Sequence, residues 1–93
     1  MSDENFRQRS MVKWRSLSDG DRSVLAASLQ RPKSLMMTTR GSGNFEFWSM
    51  LGEQGLMVNH GTPDGMPEMI ASFSVAEDRQ SEIAELLGIP LAQ

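Results

Sequence analysis

Apolar residues recur along this chain first at a helical period and then at a period of two. Leu17, Val24, Leu25, Ser28 and Leu29 form a stripe at a spacing near 3.6 and predict a helix from about Ser18. Ser18 supplies an N-cap, and Asp19 and Asp21 place anions in the first turn, where the helix dipole favours them. Pro32 stops this helix near Leu29 to Gln30, because the residue before a proline is pushed out of helical geometry. Upstream, Met11, Trp14 and Leu17 have a weaker helical spacing. Residues 1–10 read as a frayed polar terminus with Phe6 as an isolated apolar residue.

Beyond Pro32, Leu35 and Met36 suit the core side of a short helix over about 33–39, closed by a left-handed Gly41. A strand over 35–39 is the alternative, and Thr38 and Thr39 favour it. Gly41-Ser42-Gly43 is a tight connection, after which Ser42 or Asn44 caps a further helix. On that helix Phe45, Phe47, Trp48 and Leu51 share one side, while Glu46, Ser49, Met50 and Glu53 form the other. Gly55 stands where a left-handed residue ends a helix, and Leu56 is the apolar residue that follows it.

Here the period changes. Leu56-Met57-Val58 opens a strand, and NHGTPDGMP is a run of turn formers, with His60 in the turn. EMIASFSV then alternates, with Met69, Ala71, Phe73 and Val75 on one face and Glu68, Ile70, Ser72 and Ser74 on the other. Two strands around such a turn predict a long hairpin. Ser74 to Glu77 has the form of a capping box and predicts a last helix carrying Ile83, Leu86 and Leu87, ended by Gly88 and Pro90. The predicted fold class is α+β and mostly helical, preceded by a flexible basic arm over residues 1–15.

In this order the chain resembles winged helix-turn-helix domains, in particular bacterial regulators of the multiple-antibiotic-resistance type. The stretch SLMMTTRGSGNFEFWSMLGEQGLMV resembles their second helix, turn and third helix. The stretch FSVAEDRQSEIAELL resembles the strand leaving the wing and the helix start after it. The resemblance implies a winged-helix-like domain over residues 16–93: three helices, a β-hairpin wing and a C-terminal helix. It also implies a DNA-binding transcriptional regulator, with the third helix in the major groove and the wing on the backbone or minor groove.

Charge is unevenly distributed along the chain. The net charge of −3 conceals a balance of +4 in residues 1–43 and −7 in residues 44–93. DNA binding runs on phosphate neutralisation by Lys and Arg, so the basic half supplies the candidates: Arg7, Arg9, Lys13 and Arg15 on the arm, then Lys33, Arg40, Ser42, Asn44 and Ser49 around the implied helix-turn-helix. The carried-over third helix has no base between Asn44 and Gly55. An alternative function follows, a winged-helix protein-interaction module without DNA binding. It would use the acidic third-helix face, Glu46, Met50 and Glu53, against a basic or methionine-accepting protein surface.

The chain has no cysteine, so disulfides and thiolate metal sites are excluded. Its single histidine, His60, has no companions from which to assemble a catalytic site. A non-enzymatic protein without metal or cofactor is expected. The opening residues lack the apolar core of a secretory signal, and no apolar run approaches the roughly 20 residues of a spanning helix. The expectation is a cytoplasmic protein off the membrane, a monomer or a weak homodimer.

Overall fold

The computed structural model describes residues 3–91; the first two residues of the expected arm and the last two of the expected domain lie outside them. These residues form four helices and a three-stranded antiparallel sheet, an α+β fold. In chain order they are α1 (Asp3–Ser16), α2 (Asp19–Leu29), β1 (Met36–Thr39), α3 (Gly43–Glu53), β2 (Met57–Gly61), β3 (Ile70–Val75) and α4 (Gln80–Leu87).

The segment expected to be a flexible arm is the helix α1. Phe6, Ser10 and Trp14 recur at helical spacing, continued by Leu17 just past the helix end, and turn one side of α1 toward the core, where Ser10 is fully buried. Lys13 and Arg15 in its last turn suit the negative end of the helix dipole. The polar composition hid this helix, because its buried stripe includes a serine. Next, α2 begins as expected: Ser18 Oγ accepts a hydrogen bond from the Asp21 amide at 3.1 Å, and the helix ends at Leu29.

Residues 36–39 are a strand, not the helix expected over 33–39. A helix of seven residues is marginal by itself. The extended alternative gains a full ladder with β3, pairing Met36 with Phe73, Met37 with Ser72, Thr38 with Ala71 and Thr39 with Ile70. Gly41 does adopt a left-handed conformation, at φ +89°, but in the turn that leads from β1 into α3. Ser42 caps α3 by accepting from the Phe45 amide at 3.2 Å. At the far end, the Leu56 amide bonds the Leu51 carbonyl and the Gly55 amide bonds the Gly52 carbonyl, with Gly55 at φ +76°. This is the paired closure that a left-handed glycine permits.

Strands β2 and β3 form the expected hairpin, and the sheet order is β1-β3-β2. His60 lies within β2 rather than in the turn. It is the extra residue of a bulge between Asn59 and Gly61, and its Nε2 lies 2.8 Å from Ser74 Oγ. Ser74 is therefore a strand residue and not a helix cap. The last helix starts later, at Gln80, with no side-chain cap bond at Arg79. Met69 also departs from expectation: it precedes β3 and is 60% exposed. Its carbonyl instead accepts from the Arg40 amide at 2.7 Å.

One contiguous core joins these elements. Phe47, Trp48 and Leu51 of α3 meet Leu25 and Leu29 of α2, Phe73 of β3 and Ile83 of α4, all fully buried. Trp48 and Phe73 pack edge-on at 5.6 Å between ring centroids, a favoured aromatic arrangement. Helix α3 lies on β1 and β2, and α1 lies across α3 and α4. The outer side of α1 is thereby left to solvent.

Candidate nucleic-acid interface

Helix α1 carries four of the nine candidate DNA-contacting residues, and three of these are uncommitted. Arg7, Arg9 and Arg15 are exposed and enter none of the ion pairs among the described residues. Lys13 is different. Its Nζ pairs with the Glu46 carboxylate of α3, so one base of α1 and one acid of α3 cancel at the helix boundary.

The candidates around α3 are engaged elsewhere. Arg40 donates through Nε to the Glu68 carbonyl at 3.0 Å and through Nη2 to Thr62 Oγ1 at 3.2 Å. Its guanidinium also lies 5.6 Å from the centre of the Phe45 ring. Arg40 thus clamps the hairpin loop onto the start of α3. Ser42 is occupied as the N-cap, and its hydroxyl is 2.9 Å from Thr38 Oγ1. Asn44 is buried, and its Oδ1 has no hydrogen-bond partner among the described residues. Lys33 sits in the connection from α2 to β1 and pairs with Glu77 at 3.6 Å. Ser49 is half-buried beside a small cleft between α3 and β2. These five residues do not join the α1 arginines in one surface.

The alternative protein-facing set is also split. Glu46 is held by Lys13, Glu53 is exposed at the end of α3, and Met50 turns toward α1. Met50 and Val12 supply the apolar lining of a groove of about 680 Å³ between the two helices, rimmed by Gln8, Arg9 and Lys13. On the other flank of α1, Arg7 lines a cleft of about 320 Å³ with Arg79, Glu82 and Glu85. That flank is mixed in charge, and Arg79 and Glu82 are paired within it.

Gln8 and Val12 were not candidates at the level of sequence. Both are exposed on α1, and Val12 keeps 68% of its surface accessible. The signal that finds them is the 3.6-residue recurrence of Phe6, Ser10, Trp14 and Leu17, which fixes the outward side once α1 is read as a helix.

The hairpin offers little positive charge for a nucleic-acid backbone: its connection holds Asp64 and Glu68, and its nearest base, Arg40, is spent on holding it. No helix among the described residues is long and apolar enough to cross a membrane. No protein-family model, curated protein or solved structure matches this chain.

Proposed function

We propose that this chain is a non-enzymatic, winged-helix-like module that binds duplex DNA as part of transcription regulation, with α1 as the contacting element. The winged-helix part of this reading is supported by the β1-β3-β2 order, by α3 running between β1 and β2, and by the hairpin that follows it. The observation that carries the DNA part is that Arg9 and Arg15 project from the outward side of α1, with Arg7 exposed on its flank, all three clear of the ion pairs that engage Lys13, Lys33 and Arg79. Each base that reaches a phosphate releases condensed counterions, so affinity should fall with salt at a slope of about −0.9 per contact.

The departure from a helix-turn-helix supports moving the contact from α3 to α1. Strand β1 occupies the place of the second helix, and the outward side of α3 has no base. A titration of a labelled mixed-sequence duplex against rising salt tests the reading. Binding that weakens steeply with salt, and less steeply in an Arg9→Ala/Arg15→Ala variant, supports it. No binding at tens of micromolar protein in low salt contradicts it.

A second reading, a protein-interaction module, draws on the apolar groove between Val12 and Met50. It predicts that Met50→Ala weakens partner binding while leaving any DNA affinity unchanged.

A further inference from the structure

The outward side of α1 carries more than charge. At 3.6 residues per turn, Arg15, Gln8, Val12 and Arg9 fall in that order across an arc of about 120°. All four are exposed; Glu4, one turn before Gln8, borders the arc on the Arg15 side and shares a shallow cleft with Gln8, Val12 and Arg15, so the acid-free part of the face runs from Gln8 through Val12 to Arg9. The nearest acid of α3, Glu46, is already bonded to Lys13.

This is a base-reading set. An amide such as Gln8 can bond adenine at N6 and N7 together, a branched apolar side chain can pack on the thymine methyl, and Arg serves guanine or phosphate. A helix with its side chains is about 10–12 Å across, and the major groove is about 12 Å wide. A protein partner fits this face less well. Interface cores need several apolar anchors, whereas among the described residues Met11, Val12 and Met50 supply the apolar lining of the clefts on either side of it.

Resting on the DNA-binding reading above, we infer that α1 reads sequence in the major groove. Gln8 and Val12 meet base edges, and Arg9 and Arg15 straddle the flanking phosphates. The selectivity therefore resides in two residues on the first helix, and α3 serves to buttress that helix through the packing of Trp14 on Phe47, whose ring centroids lie 5.9 Å apart.

The test is selection of duplexes from a randomised pool by the full chain, followed by titrations on selected and shuffled duplexes. The variants are Gln8→Ala, Val12→Ala and Arg9→Ala/Arg15→Ala, each checked for an unchanged circular dichroism spectrum and melting temperature. The exposed positions make folding failure an unneeded explanation. We expect Gln8→Ala to erode the preference for the selected duplex by roughly 5- to 150-fold, the range for a good bidentate contact, and Val12→Ala to erode it at the position of the thymine methyl, both at an unchanged salt slope. The double arginine variant should weaken both duplexes alike and lower the slope by about two. Duplex binding whose preference survives both Gln8→Ala and Val12→Ala overturns the inference and leaves the DNA-binding reading standing. Absence of duplex binding, including the case in which an acidic helical peptide binds α1 in its place, overturns both.

Discussion

Lys13 of α1 and Glu46 of α3 form an ion pair across 33 positions of sequence. The pair couples the basic segment of the chain to the acidic helix that the winged-helix resemblance would have placed against DNA. It removes the acid from the approach to α1 and removes one base from the phosphate count. Both side chains stay partly exposed, at 38% and 53%, so the pair contributes little to stability, about 0.2–1 kcal/mol for exposed pairs generally.

Glu46→Gln should therefore change binding more than folding. Freed from its partner, Lys13 gains access to a phosphate, and the salt slope of duplex binding should steepen by about one. Fluorescence anisotropy at several salt concentrations measures the slope, and urea unfolding should show a stability change under about 1 kcal/mol.

Ser10→Ala should stabilise the protein. Ser10 is fully buried in α1 and its hydroxyl has no hydrogen-bond partner among the described residues. Removing an unsatisfied buried hydroxyl and substituting the best helix former both favour the folded state, by about 1 kcal/mol together. For a domain of this size that raises Tm by about 4–8 °C. A frayed arm would give no change, so thermal melting separates a docked α1 from a loose one.

Trp48→Ala should cost about 3–5 kcal/mol, because it empties the centre of the core against Phe73. Trp48→Phe should cost far less. It keeps the edge-on contact and deletes an indole Nε1 that has no partner among the described residues. Chemical denaturation of the two variants gives the comparison directly.

Arg40→Ala should loosen the hairpin loop. It removes the bonds to the Glu68 carbonyl and Thr62 Oγ1, together with the guanidinium over Phe45, for a loss of about 1–2 kcal/mol. Arg40→Lys should not restore them, since an ammonium lacks the planar fork that spans both acceptors. Hydrogen exchange at residues 62–68 should rise in both variants while the amides of Ala71 and Phe73, in the central strand, stay protected.

Where a backbone rule was local, the sequence was readable. Ser18, Ser42, Gly55 and Gly88 each act at the helix ends that their chemistry indicated, and the alternation of Ala71, Phe73 and Val75 identified a strand with one core face. Long-range partners decided the rest. Met36 to Thr39 became a strand because β3 offers a ladder, and Ser74 was lost as a cap because β3 continues through it to Val75. The candidate site was less legible for the same reason. Nothing near Arg40 in sequence announces that it holds Glu68, and nothing near Lys13 announces Glu46. The uncommitted bases stand out only once those partners are known.

The most direct measurement is the amide spectrum of isotopically labelled protein titrated with the duplex it prefers. With α1 in the groove, the largest shifts fall on α1, from Gln8 to Ser16, with smaller ones on the packed side of α3. Shifts centred on α3 and the hairpin, with α1 unmoved, would contradict that placement.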